Sequence, residues 1–151
     1  MQISAKADYA LRALLELAAR GGGPVKGEVL ASSQDIPPRF LESILAQLRQ
    51  RGLLLSRRGA EGGYWLARPG DAITLAEVIR ATDGPLASVR GQRPESVAYE
   101  GAAERLSEVW IALRSSLRTV LEVVTLADVA NGALPEHIRA LLETPEARVS
   151  R

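Results

Sequence analysis

The chain has 151 residues, 46% of them apolar, a formal net charge of +1 and no cysteine. That apolar content supports one buried core with a small appendage and excludes a disordered chain. The missing thiols exclude disulfides, thiolate metal sites and cysteine nucleophiles, and no stretch approaches the roughly 20 apolar residues of a membrane span or the apolar core of a signal peptide, so a cytoplasmic protein is expected.

The charge is unevenly placed. Residues 1–70 carry ten Lys/Arg against six Asp/Glu, whereas residues 71–151 carry nine against twelve. A basic first half suits a polyanion, and an acidic second half does not.

In chain order, Ser4 is suited to cap a first helix to about Arg20, with Ala10, Leu11, Leu14, Leu15, Leu17 and Ala18 on one face, and the run Gly21-Gly22-Gly23-Pro24 ends it. A second short helix is expected over Gly27 to Ser33. Only Gln34, Asp35 and Ile36 then separate it from Pro37-Pro38, which opens a third helix running to Gly52. Proline is tolerated in a first turn whose N–H groups lack intrahelical partners, and glycine suits the stop. Leu41, Ile44, Leu45 and Leu48 gather on the core face of that helix, leaving Arg39, Glu42, Ser43, Ala46 and Gln50 free. Two short helices at this spacing form a helix-turn-helix. Leu53-Leu54-Leu55 and Tyr64-Trp65-Leu66 then read as strands around a basic, glycine-rich tip, Ser56 to Gly63. The pattern is a winged helix, with Arg39, Arg49, Arg51, Arg57, Arg58 and Arg68 on or beside the reading helix and hairpin, available for phosphates.

Thr74 is suited to cap a fourth helix from Leu75 to Thr82, closed by Asp83-Gly84-Pro85. Residues 84–99 lack periodicity and read as a loop or linker. Leu106, Trp110, Leu113, Leu117, Val120 and Val124 then recur at alternating spacings of four and three, a heptad seam on a helix expected from about Gly101 to Val124. So long an apolar stripe calls for a partner, and a second copy of the chain is the expected one. Thr125 can cap a short helix, Pro135 opens a last one, and the tail beyond Thr144 is expected to fray. The expected fold is therefore mainly α with a small β-hairpin wing. It divides into a winged helix-turn-helix unit at 1–83, a loop at 84–99, a dimerisation helix with its short follower at 100–131, and a C-terminal helix and tail at 132–151.

Met1-Gln2-Ile3-Ser4-Ala5-Lys6-Ala7-Asp8-Tyr9-Ala10-Leu11-Arg12, Leu48-Arg49 with Gly52-Leu53, Ser56-Arg57-Arg58-Gly59 with Gly62-Gly63-Tyr64-Trp65-Leu66, Ile73-Thr74-Leu75, Trp110 and Thr125-Leu126-Ala127-Asp128 resemble the Rrf-two family of bacterial transcription regulators. The resemblance covers about residues 1–131. It implies a homodimeric winged helix on a partly palindromic duplex DNA operator, the long helices crossing at the interface through Leu106, Trp110, Leu113, Leu117, Val120 and Val124. It further implies that Arg39, Glu42 and Ser43 face the major groove beside Pro38 and Phe40, with Arg49, Arg57 and Tyr64 flanking. Arg58 would reach a minor groove or phosphate, and Gly59, Gly62 and Gly63 would let the backbone approach DNA. Phe40 stands where the family often has tyrosine, and Pro37-Pro38 replace the commoner small polar residues.

Cluster-bearing members that the chain resembles carry three cysteines between the fourth helix and the long one. Here that segment has none, and the position of a sometimes present histidine is Ser107. Asp8 matches an acidic ligand of some members, but one carboxylate without thiolates cannot hold an iron–sulfur cluster. A cysteine-free member with no metal or cofactor is expected. Control then falls to a small ligand, in a candidate pocket involving Asp8, Tyr9 and Trp110, or to a protein partner on the acidic half.

Blander roles compete with these. Asp8 suits the first turn of any helix, Trp110 any packed interface, and Glu42 any helix surface, although a carboxylate facing DNA accepts from cytosine and repels phosphate. An adaptor that keeps the winged helix but binds a partner protein is the alternative, and the basic wing argues against it. An enzyme ranks last, since no phosphate loop and no nucleophile–base spacing is present, and His137 has no evident partner.

Overall fold

The computed structural model describes residues 2–150; Met1 and Arg151, the outer limits of the first and last expected units, lie outside the described residues. The order of elements is α1 (Ala5–Arg20), α2 (Gly27–Gln34), α3 (Pro38–Gln50), β1 (Leu54–Arg57), β2 (Gly63–Leu66), α4 (Leu75–Asp83), α5 (Leu106–Leu121), α6 (Leu126–Ala130) and α7 (Glu136–Leu142), with short 3-10 turns between.

Helix α1 is the central beam. The Ser4 hydroxyl accepts from the Ala7 N–H at 3.0 Å and donates to Asp83 at 2.8 Å, so one side chain caps α1 and ties it to the end of α4. Ala7, Ala10, Ala13, Leu14 and Leu17 are buried along its length, and α2, α3, α4, α6 and β2 all pack on it. The small alanines let those neighbours close in around the leucines. Three buried leucines and an isoleucine of α3, Leu41, Ile44, Leu45 and Leu48, face inward as their spacing requires. Between α2 and α3, Asp35 takes a left-handed φ of 50° while the Ile36 N–H bonds the Ala31 carbonyl at 2.9 Å. Ile36 is thereby turned into the core at 3% exposure.

Strands β1 and β2 pair antiparallel from Leu54–Leu66 to Arg57–Gly63. Val25 adds a bridge to Tyr64, its N–H and carbonyl bonding those of Tyr64 at 2.9 and 2.8 Å. The wing is thus a hairpin stitched to the chain two residues before α2. Thr74 caps α4 with a reciprocal box in which Glu77 returns a carboxylate to the Thr74 N–H.

The long helix departs from expectation. It spans Leu106–Leu121, 16 residues, or about 24 Å at 1.5 Å per residue. Gly101–Ala103 forms a separate 3-10 turn, with Gly101 at φ 60°; its residues are exposed, so no burial draws them into the helix. At the other end Val124 does not continue the seam. It is 3% exposed within its own chain, and its carbonyl accepts the Leu75 N–H at 3.0 Å, a partner outside the helix.

The chain then returns to where it left. Thr74 and Thr125 form an antiparallel bridge, Thr125 caps α6 with a second reciprocal box, and Leu126 is fully buried in the same core as Leu14 and Ile73. The short follower expected to group with the long helix thus packs on α1 and the 70–72 turn. Residues 84–105 are held by a Val89–Gln92 bridge and by burial of Pro94 and Val97, and the 94–96 turn packs on α5.

Candidate nucleic-acid interface

Helix α3, the start of α2 and the wing enclose a cleft of about 400 Å³ whose lining includes Pro38, Arg39, Glu42, Arg57, Arg58 and Tyr64. The sequence placed these residues on separate elements, and the fold brings them together. Lys26 and Glu28 join them, and neither was singled out from the sequence. Their only local sign is a Lys-Gly-Glu step at a helix start; what gives them a role is the Val25 bridge, a pairing with residues nearly forty positions away. The Lys26 ammonium donates to the Gly59 carbonyl at the wing tip.

Arg39, Glu42, Ser43 and Arg58 are exposed, and Arg39, Glu42 and Arg58 make no side-chain hydrogen bond or ion pair among the described residues. They are free to meet a ligand. Others are engaged. Ser43 donates to the Phe40 carbonyl at 2.9 Å. Phe40, 41% exposed, meets Tyr9 edge-on at 5.6 Å between ring centroids, and the Arg12 guanidinium lies 5.1 Å from the Tyr9 centroid. Arg49 donates to the Ser56 hydroxyl at 3.2 Å, and Arg57 to the Glu61 carbonyl at 3.1 Å, so Arg57 helps to shape the wing tip as well as its charge.

Two of the six arginines grouped with the reading helix and hairpin point elsewhere. Arg68 pairs with Glu77 at 2.7 Å and with the Ala72 carbonyl, fastening the turn before α4. Arg51 lines a different cavity beyond the far end of α3.

The glycines of the wing also have a role inside the fold. Gly62 and Gly63 are buried. A Cβ on Gly62 would lie 2.0 Å from the Arg57 carbonyl oxygen, and one on Gly63 would lie 2.6 Å from the Val25 backbone. The close approach they permit is of the protein to itself. Gly59, exposed at the tip with φ 103°, has open space around it.

The expected effector residues do not converge. Trp110 lines a cavity of about 500 Å³ with residues 85–90, Pro94 and Leu113, and its indole N–H donates to the Tyr99 hydroxyl at 3.1 Å. Tyr9 packs on Phe40, and Asp8 pairs with Arg12 at 3.2 Å; neither lines that cavity. The seam residues Leu106, Trp110, Leu117 and Val120 are half-buried, and Leu113 is exposed. His137 faces the Thr119 carbonyl at 3.2 Å.

A free cation and a carboxylate on one helix face, beside a cation-bearing hairpin, are what a duplex reader needs. Arginines neutralise phosphates, and groups near the amino end of the helix meet base edges.

Residues 3–132 match the family described as Rrf2, iron-dependent transcriptional regulator. The chain is 53% identical over 151 residues to the "Putative HTH-type transcriptional regulator Rv1287" of Mycobacterium tuberculosis (strain ATCC 25618 / H37Rv), covering 99% of this chain and 94% of that protein. The structure of CymR (YrzC), the global cysteine regulator of B. subtilis, matches with a TM-score of 0.74 and 37% identity over 87% of this chain and 98% of that one. That of T. potens IscR matches with a TM-score of 0.70 and 30% identity over 100% and 93%. The family description names iron, but this chain has no cysteine and one histidine, and no group of three potential metal ligands converges among the described residues. The donor set does not fit an iron–sulfur cluster. In sequence and in fold, the chain belongs to the Rrf2 family of transcription regulators.

Proposed function

We propose that the protein acts as a homodimeric, sequence-specific repressor on a partly palindromic operator, without an iron–sulfur cluster. The observation that carries this reading is the joint exposure of Arg39 and Glu42 on α3 with Arg58 on the wing, around one cleft. Arg58 and Lys26 supply phosphate affinity, while Arg39 and Glu42 discriminate base edges. Support for a dimer comes from α5, which has no buried residue of its own and exposes Val109, Ile111 and Leu113. Two copies joined there would present two α3 helices to half-sites about one DNA turn apart. With the cluster chemistry missing, release from DNA falls to a small ligand or a protein partner.

The test is to incubate the purified protein with sheared genomic DNA of its source organism, recover bound fragments at moderate salt and sequence them. Enrichment of a single palindromic motif is expected. Recovery without any motif overturns the reading, in favour of a winged helix that serves as a protein adaptor.

A further inference from the structure

A second cluster of cations lies away from the cleft. Arg51, Arg80, Arg93, Arg114 and Arg118 line one cavity of about 490 Å³ whose remaining wall is Gly84, Pro85, Leu86 and Glu95. They come from the end of α3, the last turn of α4, the 84–99 segment and α5, and only the fold unites them.

The charges do not cancel. Arg114 pairs with Glu95 at 2.6 Å, and Arg80 and Arg118 share Glu122. Five guanidinium groups thus meet two carboxylates, leaving three positive charges uncompensated. Both carboxyls sit below their ordinary range, Glu95 through its own backbone N–H and then Arg114, Glu122 through Arg80; both are ionised at neutral pH. Helix C-termini favour cations, which accounts for Arg51 and Arg80 singly, but two helix ends contribute only roughly half a negative charge each. An excess of positive charge persists. Arg51 and Arg93 make no ion pair among the described residues, and Arg114 keeps only 16% side-chain exposure. Like charges held together this way repel one another unless an anion joins them.

The cavity is not part of the DNA-facing surface. Arg51 lies thirteen residues along α3 from Pro38, about 20 Å of helix, and the two linings share no residue. We infer that it binds a small phosphorylated metabolite carrying two or more negative charges, its phosphoryl oxygens forked by the arginines and its organic part against Pro85 and Leu86. The volume is that of a small-molecule site, and guanidinium forks match phosphoryl oxygens. Resting on the DNA-binding reading above, the site is also a control point. It joins the end of α3 to α5, and next to it Gln47 of α3 donates to the Ala81 carbonyl of α4 at 2.7 Å. An anion drawn between Arg51 and Arg114 fixes the angle at which each reading helix leaves the dimer axis.

The experiment is isothermal titration calorimetry of the full chain with pyrophosphate and, separately, inorganic phosphate. Saturable binding at one site per chain is expected, tighter for pyrophosphate and weakened by salt. The double variant Arg51→Gln/Arg93→Gln should lose affinity roughly tenfold to a hundredfold, while Arg139→Gln/Arg148→Gln, with the same loss of net charge elsewhere, keeps it. Should the first double variant fail to fold, Arg93→Gln alone is read, since it alters only the loop. Absence of saturable binding, or equal loss in both double variants, overturns the inference. So does loss of duplex binding by Arg51→Gln/Arg93→Gln in anion-free buffer, which would assign the arginines to DNA phosphates. Saturable pyrophosphate binding by a chain that enriches no genomic motif upholds the site and removes the regulator reading.

Discussion

Gly63 takes a φ of 147° and presses against the Val25 backbone, and Gly62 sits over the Arg57 carbonyl. A methyl group at either position has only main chain to displace. Gly63→Ala is therefore expected to lower unfolding free energy by about 1–3 kcal/mol or more, and Gly62→Ala likewise, read from urea denaturation. Arg58 is the opposite case, an exposed side chain with nothing to lose in the fold. Arg58→Ala should leave the denaturation midpoint unchanged, weaken duplex binding and reduce the slope of log affinity against log salt by about one. A slope that stays the same would remove Arg58 from the phosphate contacts. These glycines and arginines stood out in the sequence as types at a hairpin tip. Which of them stand exposed and which face the protein depended on Val25 and Glu61, and a linear motif does not carry those contacts.

Helix ends set much of the local order. At Glu77, burial pushes the carboxyl up, but the Arg68 guanidinium and the Thr74 N–H outweigh it and hold the group below its ordinary 4.5. A carboxyl lowered by folding contributes stability that is present above the unfolded value and lost as pH falls through the folded one. Stability should therefore decline below about pH 4.5, and Glu77→Gln should flatten that acid limb; an unchanged limb in urea melts across this range would show that Glu77 takes no part. Both Thr caps and the prolines of α3 were legible, because capping is local in sequence. The length of α5 was not. The heptad spacing runs on through Val124, yet burial of that side chain and the Leu75–Val124 hydrogen bond end the helix before it. Periodicity records where apolar residues recur and cannot tell which of two surfaces claims the last one.

At the scale of the molecule, α5 carries an apolar face that its own chain leaves open, with Val109 at 55% and Leu113 at 38% exposure. Leu113→Glu is expected to convert a dimer to a monomer in sedimentation velocity and to weaken operator binding far more than half-operator binding; a dimer that persists would place the interface elsewhere. The winged-helix half of the fold could be read ahead of the structure because its elements follow one another and pack on their neighbours. The arginine cavity and the return of α6 could not, since each joins residues far apart in the chain. That return has a consequence for how the protein is made. Leu126 completes the core around Leu14 and Ile73, and its N–H bonds the Ile73 carbonyl at 3.0 Å. On the ribosome the amino-terminal elements emerge first, so the side of α1 that α6 covers stays bare until about fifty further residues have been synthesised. The finished core and α5, which directly precedes α6 in the chain, therefore become available almost together.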